Sequence, residues 1–110
     1  MAGYVPDVGD IVWLHFDPQA GHEQAGHRPA LVLTPARYNG LRGMMLCCSM
    51  TSRIKGYPFE VVETVEPASV VLADQVKSLD WRARGAVRKG RISAAALAEV
   101  QAKIKALLGL

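Results

Sequence analysis

Polar side chains suited to acid–base and electrostatic chemistry are concentrated in the segment from Gly21 to Pro29. The segment contains a carboxylate, two imidazoles and a guanidinium, supplied by Glu23, His22, His27 and Arg28. It is rich in glycine and directly precedes a predicted strand, and functional residues are often found on loops that a rigid scaffold holds. Two interpretations follow from this segment alone: a functional loop or a solvated surface loop.

Metal binding is the first chemistry to test. A zinc-binding helix uses H-E-x-x-H, which places both imidazoles on one face one turn apart. Here His27 follows His22 by five residues, Gly26 lies between them and no cysteine is nearby. We therefore expect no metal site and no cofactor, and we expect His15 to be a half-buried, hydrogen-bonded side chain. The sequence also has no G-x-S-x-G elbow, no P-loop and no dinucleotide fingerprint.

The remaining polar set fits metal-free cleavage of RNA, whose 2′-hydroxyl is a nucleophile within the substrate. Such a reaction needs a base for the hydroxyl, cationic donors for the phosphorane and an acid for the leaving 5′-oxygen. Glu23, His27 and Arg28 can fill these roles, and the Thr51 hydroxyl can add a donor to a phosphate oxygen. Arg28 is first an electrostatic residue, because a guanidinium hardly ever loses its proton. Thr51 reaches Arg28 only if their strands are neighbours.

Composition allows a nucleic-acid partner without requiring one. The 110 residues predict a single domain, 1–110, and 13 Lys and Arg against 10 Asp and Glu give a net charge of +3. Much of the basic charge lies in residues 82–91, which contain no acid. The adjacent Cys47 and Cys48 predict reduced thiols, since neighbouring strand side chains point to opposite faces. With no signal peptide or membrane span in the sequence, we expect a soluble cytoplasmic protein.

The pattern along the chain predicts a mainly β fold with a C-terminal helix. Short apolar segments separated by turn residues predict strands at 11–16, 29–34, 44–50, 58–62 and 69–73, with weaker ones at 75–79 and 86–88. Residues 17–28, 35–43 and 51–56 are predicted loops. After a Ser93 N-cap, helical spacing gives an apolar stripe of Leu97, Val100, Ile104, Leu107 and Leu108, and Gly109 suits the C-terminal cap. The expected architecture is a small, curved antiparallel barrel or a pair of sheets.

Seven stretches of the chain form a set of motifs that occur in a fixed order: residues 4–7, 9–13, 16–18, 23–30, 55–61, 73–78 and 81–85. Several motifs in one order are more specific than any one motif. On these stretches the chain resembles the MazF/PemK family of toxin–antitoxin ribonucleases over nearly its whole length.

The resemblance implies an SH3-like antiparallel β-barrel of the MazF/CcdB type with a C-terminal helix, forming a homodimer. It implies a metal-independent endoribonuclease toxin that cuts single-stranded mRNA at short sequences, leaves 2′,3′-cyclic phosphate and 5′-hydroxyl ends, and inhibits translation and growth. It also implies a cognate antitoxin with an acidic, partly disordered tail. The essential arginine and threonine of the family fall on Arg28 and Thr51, and its acidic residue falls on Glu23.

Two points of the site stay open. The end of the third strand reads Ser49-Met50-Thr51-Ser52, where the family usually has a proline and two threonines, so the loop shape and base preference are expected to differ. The general base is also open: Glu23 can activate Arg28 or take the 2′-proton, and His27 is the alternative.

The RNA groove is predicted to be lined by residues 17–28, 36–43 and 51–57, across the dimer. Arginine and lysine side chains there suit phosphate contact, and tyrosines suit stacking on unpaired bases. The predicted RNA-binding residues are His27, Arg37, Tyr38, Arg53, Lys55 and Tyr57, with Arg42 nearby. Solvated loop residues are the alternative interpretation for each.

Two rival functions remain. The same barrel is used by toxins that poison DNA gyrase through protein contact, and an RNA-binding barrel without catalysis is a further alternative. A gyrase binder has no reason to keep Glu23, Arg28 and Thr51 together, so this set favours the endoribonuclease.

Overall fold

The structure, a computed structural model, describes residues 3–17, 26–64 and 67–110. It consists of one antiparallel sheet with helices on either side. The elements are β1 (Asp10–His15), β2 (His27–Val32), α1 (Ala36–Arg42), β3 (Met44–Thr51), β4 (Glu60–Thr64), β5 (Ser69–Asp80), β6 (Val87–Arg91) and α2 (Ala94–Leu107). The strand order is β4-β5-β3-β2-β1-β6. Within the described ranges, no helix has the length and apolar character needed to cross a bilayer.

Irregularities in the strand pairing curl this sheet. The register shifts between Ile11 and Val12 in β1, between Cys48 and Met50 in β3, and between Val62 and Thr64 in β4. Such bulges bend a strand and increase its right-handed twist. The six strands therefore form a half-barrel, which confirms the mainly β, curved antiparallel prediction.

The strict alternation of side chains divides the core into two clusters. The first, the α2-side cluster, contains Ile11, Leu31 and Cys48 with Ala96 and Val100 of α2. The second, the Trp81-side cluster, takes the intervening positions, and its buried members are Val12, Leu14, Phe16, Ala30, Val32, Met45, Cys47, Leu79 and Trp81. The two adjacent cysteines thus lie in different clusters as free thiols, as the sequence predicted.

The loop predicted at 35–43 is wrong, because residues 36–42 form α1. Distant residues hold this short helix. Asp7 Oδ1 accepts the Ala36 N–H at 2.9 Å, the buried Asn39 side chain donates to the Pro6 carbonyl oxygen at 2.7 Å, and Trp81 Nε1 donates to the Asn39 carbonyl oxygen at 2.9 Å. Arg37 and Tyr38 are therefore helical residues.

The strand boundaries also differ from the sequence prediction where they affect the site. The sequence predicts His27 and Arg28 in a loop, but they belong to β2, whose ladder pairs His27 with His15 and Arg28 with Leu14. The two segments predicted at 69–73 and 75–79 are one strand, β5, of 12 residues.

The C-terminal helix confirms its predicted start. Ser93 Oγ accepts the Ala96 N–H at 3.1 Å, as an N-cap does. Val100 is buried and Leu97 and Ile104 pack against the α2-side cluster. Leu107 and Leu108 of the predicted stripe remain 49% and 66% exposed in the single chain.

Candidate active site at the ends of β2 and β3

Arg28 and Thr51, the residues predicted to stabilise the phosphate, lie on the neighbouring strands β2 and β3. β2 pairs with β3 in a regular antiparallel register that includes Ala30 opposite Ser49 and Val32 opposite Cys47. Arg28 and Thr51 each lie two residues beyond the Ala30–Ser49 pair, in the direction of the start of β2 and the end of β3. Alternation then places both side chains on the face of the Trp81-side cluster, at the edge where the buried core ends.

Thr51 has its hydroxyl turned to the start of the following loop. Its Oγ1 accepts the backbone N–H of Arg53 at 3.1 Å. That bond uses an oxygen lone pair and leaves the hydroxyl hydrogen able to donate to a bound phosphate oxygen. Thr51 and Arg28 are both half-buried, which suits groups that must contact substrate from a fixed position.

His27 lies on the other face of the sheet, because it precedes Arg28 within a strand. Its ring stacks on Trp13 at 5.4 Å between centroids and contacts the His15 ring at 4.4 Å. Together with Val87 it lines a shallow depression of about 250 Å³. His15 is exposed, contrary to the half-buried position expected for it. The structure therefore does not bring His27 together with Arg28.

Glu23 lies outside the described residues, which resume at Gly26. The positions on either side of that segment are fixed. Asp17 Oδ1 accepts the Gly26 N–H at 3.0 Å, and the Phe16 N–H donates to the Gly26 carbonyl oxygen at 2.9 Å. Arg84 Nη1 donates to the carbonyl oxygens of Asp17 at 2.9 Å and His15 at 3.2 Å. One arginine of the basic stretch thus holds the end of β1.

The loop after Thr51 contains three of the predicted RNA-binding residues. Arg53 and Lys55 are exposed, whereas Tyr57 is half-buried. The Tyr57 hydroxyl donates to Asp74 Oδ1 at 2.9 Å, and its ring meets the Phe59 ring edge-on at 6.5 Å. Burial, together with the hydrogen bond to Asp74, raises the pKa of Tyr57 to about 12.

Arg37 and Tyr38 are both exposed, and they belong to α1 rather than to this loop. This helix precedes β3, whereas Thr51 ends β3. The eight residues of β3 span about 23 Å. The connection to α1 and the Thr51 end of β3 are therefore at opposite ends of this strand.

The basic stretch 82–91 is largely engaged within the chain. Arg91 Nη1 lies 2.8 Å from Oδ1 of the buried Asp10, while Arg82 packs over the Trp81 ring at 4.5 Å. Tyr4 donates to Asp10 Oδ2 at 2.6 Å, and burial together with this bond raises the pKa of Tyr4. These contacts give the stretch a role in packing.

The thiols and metal-binding groups offer no competing chemistry in the described residues. Burial raises the pKa of both Cys47 and Cys48 to about 12, so neither forms the thiolate that a cysteine nucleophile requires. No group of three or more His, Cys, Asp or Glu residues suited to a metal ion occurs in ranges 3–17, 26–64 and 67–110.

Ser49, at the unusual end of β3, is 1% exposed. Its Oγ has no hydrogen-bond partner among the described residues. It lies two residues before Thr51 on the same face, next to the register shift between Cys48 and Met50. The sequence departure therefore coincides with a local irregularity beneath the candidate site.

Sequence reasoning missed two residues that shape the loop, Glu60 and Asp74. The carboxylate of Glu60 accepts the backbone N–H groups of Lys55 and Gly56, and Asp74 accepts the Tyr57 hydroxyl. Both acids lie within motif stretches of the family resemblance, which was the signal that could have identified them.

Comparison with known proteins gives consistent matches. The family model described as PemK-like, MazF-like toxin of type II toxin-antitoxin system matches residues 7–108. Endoribonuclease toxin MazF of Escherichia coli (strain K12) is 56% identical over 107 residues, covering 96% of each chain. Endoribonuclease toxin ChpB of the same organism is 37% identical, covering 91% of each chain.

Solved structures agree in fold. MazF from Deinococcus radiodurans superposes with a TM-score of 0.93 at 56% identity, covering 98% of this chain and 100% of that one. A MazE-MazF crystal structure from the same organism gives a TM-score of 0.88 at 56% identity, covering 98% and 99%. With the family model spanning nearly the whole chain, this protein belongs to the PemK/MazF family of type II toxin–antitoxin toxins.

Proposed function

We propose that this chain is an endoribonuclease toxin that cleaves single-stranded mRNA without a metal ion and so inhibits translation and growth. The main support is the pairing of β2 with β3, whose ends carry Arg28 and Thr51, each two residues beyond the Ala30–Ser49 pair. The names of the relatives, endoribonuclease toxins with 37% and 56% identity, support the same reaction class.

The proposed reaction starts with attack of the RNA 2′-oxygen on the adjacent phosphorus. The 2′-oxygen loses its proton to a base, the bond from phosphorus to the 5′-oxygen breaks, and the leaving oxygen takes up a proton. The products are a 2′,3′-cyclic phosphate and a 5′-hydroxyl. Arg28 stabilises the negative charge of the phosphorane, and Thr51 donates its hydroxyl hydrogen to a non-bridging oxygen.

We propose that Glu23 either takes the 2′-proton itself or activates Arg28 for that step. The position of His27 against Trp13, on the face opposite Arg28, favours Glu23 over His27 in this role. His27 is retained as a proposed RNA contact through the depression that it lines.

The proposed RNA path passes the loop after β3. Arg53 and Lys55 present exposed cationic side chains for phosphate contact, and Tyr57 presents part of its ring for stacking. We also propose a homodimer whose RNA groove crosses the interface and in which the exposed Arg37 and Tyr38 of α1 contact the RNA.

A cognate antitoxin with an acidic, partly disordered tail is the proposed protein partner, and the cytoplasm is the proposed location of both. The structural match to a chain from a MazE-MazF crystal structure supports such a partner. An acidic peptide of this type should compete with RNA, because both are polyanions that suit the basic loops. Inhibition of cleavage that excess RNA does not overcome would contradict competition for one groove.

The gyrase alternative has no comparable support, since the relatives described above are named endoribonucleases. The deciding experiment incubates the purified protein with a defined RNA in EDTA and maps the product ends. We expect cleavage, with cyclic phosphate and 5′-hydroxyl termini. Intact RNA together with inhibited DNA supercoiling would instead favour the gyrase alternative, and intact RNA with tight binding would favour the non-catalytic barrel.

A further inference from the structure

Glu60, the first residue of β4, holds the exposed part of the loop after β3. Its Oε2 accepts the Lys55 N–H at 2.9 Å and its Oε1 accepts the Gly56 N–H at 2.8 Å. Gly56 has a φ of 81°, a conformation that glycine adopts without strain. Two successive N–H groups directed at one anion form the nest arrangement that binds phosphates and other anions. Here a carboxylate of the same chain fills the nest.

The rest of the loop is anchored at its two ends. On the N-terminal side, Thr51 Oγ1 accepts the Arg53 N–H. On the C-terminal side, Tyr57 is bound to Asp74 and the Pro58 carbonyl oxygen accepts from Lys103 of α2. Residues 52–56, which lie between these anchors, are all exposed. The Glu60 carboxylate ties the C-terminal end of this exposed stretch to the sheet.

We propose that Glu60 is a positioning residue for RNA binding, which fixes the backbone at Lys55 so that the cationic side chains of the loop face the phosphates in one arrangement. This inference rests on the proposed endoribonuclease function. A loop held in its bound conformation loses less conformational entropy when it binds. The carboxylate thus favours binding of a polyanion although its own charge opposes it.

The opposing effects of geometry and charge make this proposal testable. Loss of a negative charge beside a phosphate-binding loop tightens RNA binding if charge alone matters. Loss of the two hydrogen bonds weakens RNA binding if loop order matters. Glu60→Gln removes the charge and one acceptor oxygen, whereas Glu60→Asp keeps the charge but shortens the side chain. Glu63→Gln, three residues along β4, is the matched control for charge.

Steady-state cleavage of a single-stranded RNA measures the effect. We expect Glu60→Gln and Glu60→Asp to raise KM about tenfold, as loss of a hydrogen bond to a charged group does. We expect kcat to stay within about twofold, because Arg28 and Thr51 are untouched. Glu63→Gln should leave KM unchanged or slightly lowered. A KM for Glu60→Gln at or below the wild-type value would overturn the proposal.

Trypsin gives a second measurement that needs no RNA cleavage. The proposal requires faster cutting after Arg53 and Lys55 in both Glu60 variants than in wild type or Glu63→Gln, at equal thermal stability. Equal cutting rates would show that Glu60 does not order the loop. If wild-type protein fails to cleave RNA, the endoribonuclease function fails, and the trypsin comparison still decides whether Glu60 holds the loop.

Discussion

At the scale of single residues, Arg28 and Thr51 are the side chains on which cleavage should depend most. We expect Arg28→Ala and Thr51→Ala to lower kcat by about a hundredfold or more, the usual cost of removing one donor to a developing charge. Stability should change little, because both lie at strand ends and are half-buried. Rates with a defined RNA and urea unfolding of the same samples measure both quantities.

Two comparison variants separate a specific role from general charge. Lys105→Ala removes one exposed cation from α2 and should cleave at the wild-type rate. Thr51→Ser keeps the hydroxyl and should retain most activity. A folded Arg28→Ala protein that cleaves RNA as fast as wild type would exclude the proposed role of Arg28.

The sequence was informative about the identity of these residues and less so about their placement. Arg28 and Thr51 were identified from chemistry and resemblance, but their pairing depends on which strands are neighbours, and periodicity within one strand does not determine this. With His27 and Arg28 in a predicted loop, the sequence does not indicate the relative directions of their side chains. Once both belong to β2, alternation puts His27 on the opposite face from Arg28.

At the scale of secondary structure elements, the helix α1 shows what a local pattern does not contain. It has seven residues and an Asn39-Gly40 pair, which is typical of a turn. Its stability comes from Pro6, Asp7 and Trp81, which are remote in sequence. β5, in contrast, is predicted as two strands because Asp74 follows its apolar residues, although the later half of the strand simply alternates between more and less exposed positions.

Asn39 should be the most sensitive residue of α1. Its buried amide donates to the carbonyl oxygens of Pro6 and Thr34, and its Oδ1 accepts the Thr34 hydroxyl. Asn39→Ala leaves these groups without that partner, and we expect a loss of about 3 kcal/mol in the free energy of unfolding. Urea unfolding should show a lower midpoint with an unchanged m value. Arg42→Ala, at an exposed position of the same helix, is the control and should unfold like wild type.

The start of α1 should make stability depend on acid pH through Asp7. The backbone N–H of Ala36, and after it that of Val8, lowers the pKa of Asp7. A lowered folded-state pKa gives stability that is complete above the ordinary carboxyl pKa and is lost as pH falls through the folded value. Urea unfolding from about pH 5 to about pH 2 should therefore show a smaller acid-induced loss in Asp7→Asn than in wild type.

The same variant should be less stable at neutral pH. Loss of the charged cap should cost about 1 kcal/mol there, comparable to loss of a helix N-cap. Glu63→Gln removes a carboxylate elsewhere and should retain the wild-type acid profile. An Asp7→Asn protein with the full wild-type loss in acid would show that another carboxylate is responsible.

At the scale of the whole molecule, net charge and the location of the contacts are separate matters. The chain has a net charge of +3, and a dimer would have twice that. The most basic stretch, 82–91, directs several of its cations to Asp10, Trp81 and the end of β1. The exposed cations of the loop after β3 are fewer but lie directly beside Thr51. The positions of a few cations should therefore determine RNA contact more than the net charge of the chain does.

Salt dependence of binding distinguishes placement from total charge. For single-stranded RNA, the logarithm of the binding constant falls with the logarithm of salt concentration by about 0.7 for each phosphate contacted. With an uncleavable 2′-O-methyl RNA, we expect Lys55→Ala to make this slope shallower by about 0.7 for each binding site. Lys105→Ala removes the same charge from α2, outside the proposed RNA path, and should leave the slope unchanged. If both variants flatten the slope equally, binding follows the overall field of the protein and the loop has no direct phosphate contact.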